Sequence, residues 1–177
     1  MHRNNAMASE KILILDKDQI QKKITRIAYQ ILEDNFEEKE IVLAGVAERG
    51  YVLARRLKEE LAKISLAVDV KLINISLNKV SSTLQAETDI SVSEAKDKVV
   101  ILVDDVLNSG RTLAYGLGVF LNVPLKKLRT AVLIDRSHHK FPVISDFSGH
   151  KLSTILNEHV SVTLEGFENE QDAAYLH

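Results

Sequence analysis

The 177-residue chain has no cysteine and no tryptophan, and it contains only two prolines and seven glycines. The absence of cysteine excludes disulfides, a thiol nucleophile and a thiolate metal site. No apolar run approaches the length needed to cross a bilayer, so we expect neither a membrane segment nor a membrane partner. The first residues also lack the apolar stretch of a signal peptide, and residues 1–9 are interpreted as a flexible polar lead-in.

The chain also lacks a large excess of charge of either sign. It carries 23 basic and 25 acidic side chains, which give a formal net charge of −2. This balance is not the overall footprint of a nucleic-acid-binding protein, although a local basic face can still serve one. The length suits one domain with a substantial core, which we place at residues 10–177.

The most informative segment is an apolar run that ends in two adjacent carboxylates. Residues 99–103 are rich in β-branched side chains, which is typical of a strand buried on both faces of a parallel sheet. Carboxylates are costly in a core, so Asp104 and Asp105 should emerge at the carboxyl edge of the sheet, where open α/β sheets bind ligands. Residues 108–110 predict a tight turn, and a helix is expected from about Thr112.

This order of strand, acidic turn and helix predicts a site for a ligand that carries both hydroxyls and a phosphate. The start of a helix presents unpaired N–H groups and a positive dipole end to a phosphate. Carboxylates accept hydrogen bonds from ribose hydroxyls and can orient a Mg²⁺ shell. The alternative is an ordinary surface turn, in which Asp, Asn, Ser and Gly are common. The ordered combination favours the functional interpretation.

Two further strands are expected to open at the same edge of the sheet. Residues 41–46 predict a strand that a turn at 47–50 connects to a helix, so a second anion site is expected there. Residues 128–134 predict another buried strand, whose outlet is residues 135–140. Repeated strand–helix alternation indicates an α/β fold, with a mainly parallel sheet and helices on both faces. With right-handed crossovers, the three outlets converge.

Other stretches give weaker signals. The first predicted helix is capped by Asp18 and has an apolar stripe on one face. Residues 78–97 are polar and have no clear period. Residues 141–153 predict short irregular strands, and residues 160–164 a last alternating strand. The acidic tail after Glu165 is interpreted as a surface appendage.

Residues 100–112 resemble the phosphoribosyl-pyrophosphate (PRPP) signature of type I phosphoribosyltransferases. Residues 14–16 with 24–28, 45–56 and 131–136 are similar to the PyrR family. That family comprises RNA-binding attenuators of pyrimidine operons, many of which have uracil phosphoribosyltransferase activity. The resemblance implies a type I phosphoribosyltransferase fold, a central mainly parallel twisted sheet with a small hood. Because PRPP is an intracellular metabolite, it also implies a cytoplasmic protein.

The resemblance implies a magnesium-dependent reaction in which PRPP and a nucleobase give a nucleoside monophosphate and pyrophosphate. In 6-oxopurine relatives the position matching Asn108 is usually an acid that exchanges a proton with the purine, which asparagine cannot do. We therefore favour a pyrimidine base, with uracil as the best candidate. The alternative is a nucleotide-sensing RNA-binding regulator of pyrimidine genes with little or no catalysis, and a purine-salvage enzyme is a weaker third interpretation. Relatives pair, so a homodimer is expected.

The resemblance also assigns roles to individual residues of the three outlets. The catalytic residues are Asp104, Asp105 and Arg49, and the two aspartates also orient the metal. Substrate binding is assigned to Ala47, Glu48 and Gly50 at the pyrophosphate, to Asn108, Ser109, Gly110, Arg111 and Thr112 at the 5′-phosphate, and to Asp135 and Arg136 near the base. The base pocket is expected to include residues 147–149 as well, and the hood is expected at about residues 78–97.

Three positions depart from the pattern of the PyrR family. Glu48 stands where the family commonly has Thr preceded by Lys, Asn78-Lys79 replaces a Tyr-Arg pair, and Asn108-Ser109 replaces Tyr-Thr. These changes alter the part that binds the leaving group more than the ribose-phosphate cradle. On the first helix, Lys22, Lys23 and Arg26 lie opposite the apolar stripe. We favour a solvated face for these cations, with an RNA-facing patch as the alternative.

Overall fold

The computed structural model describes residues 11–80, 83–153, 158–167 and 169–177, so the predicted lead-in at 1–9 lies outside the described residues. The strands are β1 (Ile12–Leu15), β2 (Glu40–Val46), β3 (Asp69–Val80), β4 (Thr83–Thr88), β5 (Val99–Leu107), β6 (Lys127–Asp135), β7 (Phe147–Lys151), β8 (Val160–Thr163) and β9 (Ala173–Leu176). The helices are α1 (Lys17–Asp34), α2 (Ala47–Ile64) and α3 (Arg111–Gly118), and a 3₁₀ turn covers Val92–Ala95.

Six strands form the central sheet in the order β4-β3-β2-β5-β6-β7. Every neighbouring pair is parallel except β3 and β4, which are antiparallel. The carboxyl ends of β2, β5 and β6 therefore lie at one edge of the sheet. The predicted α/β fold with a mainly parallel sheet is confirmed.

Both faces of the sheet are covered, because the side chains of β5 alternate between two apolar clusters. Ile101 and Val103 pack in the cluster that contains the apolar stripes of α1 and α2. Val100 and Leu102 point the other way and pack with Leu113 of α3. All four of these β5 side chains are fully buried, which explains why the strand has a continuous apolar sequence.

The amino end of α1 corrects the predicted cap. Asp16, not Asp18, is the N-cap residue: its carboxylate accepts a hydrogen bond from Gln19 N at 2.8 Å. The Gln19 side chain accepts one from Asp16 N at 2.9 Å, which completes a reciprocal capping box. The box requires a residue three positions after the cap that can reach back, and the pair of Asp16 and Gln19 provides it.

The segment at 78–97 is more regular than the sequence predicts. β3 continues to Val80 and pairs with β4 as a hairpin, and the 3₁₀ turn follows before β5. From Leu84 to Thr88 the side chains alternate only between half-buried and exposed. This small difference in burial does not produce a clear alternation of apolar and polar residues in the sequence. The hairpin is held by the backbone hydrogen bonds between β3 and β4. A hood that closes over the site stays a prediction.

The tail after Glu165 is not a surface appendage. β9 lies between β1 and β8 in a separate antiparallel sheet of order β1-β9-β8. A buried ion pair fastens this sheet to α2, with Arg56 Nη1 2.6 Å from Asp172 Oδ2. Asp172 Oδ1 also accepts a hydrogen bond from Glu165 N at 2.8 Å. A four-residue strand gives too short a pattern to be recognised in an acidic sequence.

None of the helices in the described part of the chain combines the length and the apolar character needed to cross a membrane.

The ion pair of Arg56 and Asp172 predicts a large effect on stability. We expect Asp172→Asn to lower the free energy of unfolding by about 3 kcal/mol, because it leaves a largely buried guanidinium, 18% exposed, without its counter-charge. The control is Glu165→Gln, which removes the exposed pair of Lys17 and Glu165 and should change stability little. Urea denaturation measures both. Similar small losses in the two variants would contradict the prediction.

Candidate active site

The outlets of β2 and β5 open into one cavity of about 350 Å³. Its wall combines residues from the start of α2, the end of β5 and the start of α3 with one aromatic ring from the C-terminal region: Ala47, Glu48, Arg49, Asp104, Asp105, Val106, Asn108, Thr112 and Phe167. The structure thus brings together seven of the residues that the sequence singles out. The volume falls in the range of small-molecule sites.

Asp104 and Asp105 lie within β5 rather than beyond its end, since the strand continues to Leu107. Asp104 is only 6% exposed, and its Oδ1 accepts a hydrogen bond from Asp105 N at 2.9 Å. Burial, and next the negative charge of Asp105, hold the pKa of Asp104 well above its usual range. A cation or several hydroxyl donors at this point would lower the free-energy cost of the buried carboxylate.

Residues 47–50 form the first turn of α2 rather than a loop. Ala47 has a φ of 57°, a left-handed conformation that costs a non-glycine residue roughly 1–2 kcal/mol. The N-cap residue is Val46, whose side chain has no hydrogen-bond acceptor for the first N–H groups of the helix. Those N–H groups, beside the cavity, are suited to an anion.

Gly50 serves close packing, whereas the resemblance assigns it to pyrophosphate binding. A Cβ at this position would lie 2.6 Å from Val103 O and 3.2 Å from Asp104 Cα. Only glycine allows the start of α2 to approach the backbone of β5 this closely. Gly50 therefore sets how closely the start of α2 approaches the carboxyl end of β5.

Arg49 and Glu48 extend from the same turn, and both are exposed. The guanidinium carbon of Arg49 lies 5.7 Å from the centre of the Phe167 ring, which is within the range of a cation–π contact. Phe167 is, with Val106, one of the two cavity residues that sequence reasoning does not single out. It is an isolated aromatic in an acidic stretch, and neither a period nor a motif marks it.

The turn at 108–110 connects β5 to α3, as predicted, and α3 begins at Arg111. Gly110 is the N-cap residue with a φ of 86°, which favours glycine. Ser109 Oγ accepts a hydrogen bond from Arg111 N at 3.3 Å. The guanidinium of Arg111 lies over the Tyr115 ring, 5.7 Å from its centre. The N–H groups at the start of α3, like those of α2, are suited to an anion.

Asp135 lies at the end of β6, where its carboxylate holds the chain that follows. It accepts hydrogen bonds from Ser145 Oγ at 2.6 Å, from Ser137 N at 2.9 Å and from His139 Nε2 at 2.9 Å. Burial acts to raise the pKa of Asp135, but the hydrogen bonds, led by that of Ser145, outweigh it and lower the pKa. These contacts place Asp135 in a structural network, whereas the resemblance assigns it to the base.

Arg136 contacts the turn at 108–110 and is not among the residues that line the cavity. Its Nη1 donates to Asn108 Oδ1 at 2.9 Å, and its Nη2 donates to the Glu158 carbonyl at 2.5 Å. At the other expected part of the base pocket, the carbonyls of Ser148 and Gly149 accept hydrogen bonds from Arg26 of α1. These backbone groups of β7 are therefore bound to α1.

Comparison with known proteins agrees with this architecture. The profile of the phosphoribosyl transferase domain matches residues 13–165. The bifunctional protein PyrR of Pelotomaculum thermopropionicum is 37% identical over 96% of this chain and 98% of its own length. That of Clostridium kluyveri is 38% identical over 87% of this chain and 90% of its own.

A solved structure is similar in fold as well. The hypoxanthine-guanine phosphoribosyltransferase of Bacillus anthracis superposes with a TM-score of 0.75 at 26% identity, over 95% of this chain and 99% of its own. The resemblance inferred from residues 100–112 and from the flanking segments is thereby confirmed. The chain belongs to the phosphoribosyltransferase domain family and, within it, to the PyrR proteins.

Proposed function

We propose that this protein transfers the phosphoribosyl group of PRPP to uracil, which yields UMP and pyrophosphate. The observation that carries the proposal is the single cavity that joins Asp104 and Asp105 to the helix starts of α2 and α3. Two anion-binding segments flank a pair of carboxylates, and PRPP has the matching chemistry: a phosphate and a pyrophosphate at opposite ends of a sugar with free hydroxyls.

The described residues suit a reaction in which positive charge builds at the anomeric carbon as pyrophosphate departs. Asp104 and Asp105 accept the ribose hydroxyls and place negative charge near that carbon. The N–H groups at the start of α3 hold the 5′-phosphate, assisted by the hydroxyls of Ser109 and Thr112. Arg49 places positive charge near the leaving pyrophosphate. Catalysis in this arrangement is electrostatic and positional.

The phosphoribosyltransferase family generally uses Mg²⁺ with PRPP, and the residues present fit that ion. Asp104 and Asp105 offer the oxygen ligands that Mg²⁺ prefers, and the raised pKa of Asp104 indicates a carboxyl that lacks a compensating charge. Among the described residues, no group of three or more acidic or histidine side chains is arranged to hold a metal. The two aspartates would therefore share the ion with substrate oxygens and water. An ion held there would supply positive charge that offsets the charge of the leaving pyrophosphate.

The first test is a base-by-base activity screen. Purified protein with PRPP, Mg²⁺ and radiolabelled uracil should form UMP. We expect Asp104→Asn combined with Asp105→Asn to lower kcat at least about 10²-fold, because one well-placed electrostatic contact of this kind contributes 10²–10³. The control is Glu38→Gln, which lies before β2 at the opposite edge of the sheet. Absence of product with every common base, or activity that survives both aspartate substitutions, would overturn the proposal.

The raised pKa of Asp104 predicts a stability gain when the carboxyl is removed. In the folded protein the neutral form of Asp104 is favoured. Its contribution to the free energy of unfolding is therefore fully present below the unfolded pKa of about 3.9. That contribution is lost as the pH rises through the folded pKa. Without Mg²⁺, the unfolding free energy of the wild type relative to Asp104→Asn should fall by up to about 1.4 kcal/mol per pH unit in that window. Urea denaturation from pH 4 to pH 9 measures it; a difference independent of pH would refute the assignment.

We also propose an RNA-binding role, because a specific surface favours it. Lys22, Lys23 and Arg26 lie on the polar face of α1, and the last two are close enough to His150 of β7 to act on its charge. Burial lowers the pKa of His150, and the positive charges of Lys23 and Arg26 lower it further. Three basic side chains on one face offer the positive charge that attracts a phosphate backbone, despite the net negative charge of the chain. The homodimer that the family resemblance implies is part of the same proposal.

A charge-reversal experiment tests the RNA surface. Lys22→Glu combined with Lys23→Glu should weaken the gel shift of a pyrimidine-operon leader RNA. The salt dependence of log affinity should become shallower by about 0.7–0.9 for each phosphate that the variant no longer neutralises. The matched control is Lys58→Glu combined with Lys96→Glu, two exposed lysines elsewhere whose reversal changes the net charge equally. Equal weakening in both pairs, or no shift for the wild type at low salt, would contradict the proposal.

A further inference from the structure

The loop that follows β6 holds the turn that leads into α3. Lys140 N and Phe141 N both donate hydrogen bonds to the Ser109 carbonyl, at 2.8 and 2.9 Å. Two side chains of the same loop stand against the next residue of the turn. A Cβ at Gly110 would lie 3.4 Å from Phe141 Cβ and 3.5 Å from Val143 Cβ. Because this turn directly precedes α3, the loop fixes the backbone from which the helix starts.

Arg136 fastens the same turn at its other end. Its N–H donates to the Leu107 carbonyl at 3.1 Å, and its Nη1 donates to Asn108 Oδ1 at 2.9 Å. Each residue from 107 to 110 is therefore contacted by the segment at 136–143. None of the residues of that segment lines the cavity that holds the two aspartates. The N–H groups at the start of α3 are thus held in place from outside the cavity.

Asp135 closes the loop at 136–146 into one path. The side chain is 5% exposed, and it accepts the hydrogen bonds described above from Ser137 N, His139 Nε2 and Ser145 Oγ. These three donors come from the start, the middle and the end of the loop. Ser137 has a φ of 60°, a conformation that is unfavourable for a residue with a side chain and that persists where surrounding contacts hold it.

The bond between His139 and Asp135 lies closest to the contact with the turn. His139 directly precedes Lys140, the first of the two residues whose N–H groups reach the Ser109 carbonyl. Its side chain is 23% exposed, and its Nε2 lies 2.9 Å from Asp135 Oδ1. An ionised carboxylate only accepts, so the imidazole contributes an N–H to this bond. Hydrogen bonds to ionised groups are stronger than those between neutral groups, so this bond restrains the backbone that contacts the turn.

We propose that His139 is a positioning residue, which through Asp135 and the loop at 136–146 holds the start of α3 in the conformation that binds phosphate. This inference rests on the proposed function, which assigns the 5′-phosphate to the start of α3. A turn that samples other conformations presents its N–H groups to a phosphate for only part of the time. The apparent affinity then falls by the fraction of time for which the competent conformation is populated.

Calorimetry with ribose 5-phosphate tests the proposal without any need for turnover. We expect His139→Leu to raise the dissociation constant about threefold to tenfold, because the loss of a hydrogen bond to a charged group releases the loop. His139→Gln, whose amide N–H can reach the same carboxylate, should recover most of the affinity. Magnesium pyrophosphate, which the proposed function places at the start of α2, should bind the wild type and both variants equally.

Hydrogen–deuterium exchange provides a second measurement. The amides of Lys140 and Phe141 should exchange faster in His139→Leu than in the wild type and regain protection in His139→Gln. The matched control is His177→Leu, which removes a hydrogen bond of 2.8 Å between His177 Nε2 and Ser161 Oγ of β8. The control should change neither the exchange of the two amides nor the affinity for ribose 5-phosphate.

A second variant keeps the proposal testable if His139→Leu folds poorly. Ser145→Ala removes another donor to Asp135, at the far end of the loop, and should weaken ribose 5-phosphate in the same direction. An unchanged affinity in the folded variants, or equal weakening of ribose 5-phosphate and magnesium pyrophosphate, would overturn the proposal. A loss that His139→Gln does not recover, or a wild type that does not bind ribose 5-phosphate, would overturn it too.

The outcome is separable from that of the proposed function. Selective weakening of ribose 5-phosphate without turnover of any base refutes the transferase activity and supports the role of His139. Turnover of uracil with an unchanged affinity for ribose 5-phosphate in the variants refutes the role of His139 alone.

Discussion

A carboxylate buried at the end of a central strand is the constraint around which this molecule is arranged. Asp104 is 6% exposed and stands next to a second carboxylate, so its ionised form is unfavourable until a cation or hydroxyl donors bind. Such a group persists only where the surrounding structure over-determines its position. β5 provides this, because its apolar residues are buried on both faces and its neighbours β2 and β6 pair with it along most of its length. The fold thus holds at one point an unfavourable charge that a bound cation or hydroxyl donors would stabilise.

The amino ends of α2 and α3 place positive partial charge near the carboxylates of β5. α2 and α3 each direct backbone N–H groups towards the carboxyl edge of the sheet, where the carboxylates lie. Positive helix ends next to negative side chains match a ligand with anionic ends and a hydroxylated middle. The close approach of Gly50 to the backbone of β5 sets how near these groups stand to each other. The parallel arrangement of the strands therefore determines both the fold and the place where these groups meet.

The sequence predicts those parts of the structure that are determined mainly by residues close together in the chain. A strand buried on both faces has to be apolar throughout, and two carboxylates can follow it only at an edge, so residues 99–105 are interpretable from the sequence alone. The same holds for the apolar stripe of α1. The hairpin of β3 and β4, the strand β9 and the contact of Phe167 with Arg49 depend on partners distant in sequence. The structural use of Asp135 escapes sequence reasoning for a related reason, since its three donors come from a turn whose path no local pattern specifies.

Glu48 has opposite effects on the start of α2 and on the proposed ligand. At the start of α2 the N-cap residue is Val46, which offers no side-chain acceptor, and Ala47 adopts an unfavourable left-handed backbone. A carboxylate in the first helical turn interacts favourably with the helix dipole, so Glu48 stabilises a helix start that is otherwise poorly capped. The same charge repels a pyrophosphate bound at that turn. The two effects are compatible when the pyrophosphate arrives with its charge reduced by a divalent cation, and the adjacent Arg49 supplies positive charge from the same turn. Under the proposed function, one side chain would therefore couple the stability of α2 to the need for a cation at the leaving group.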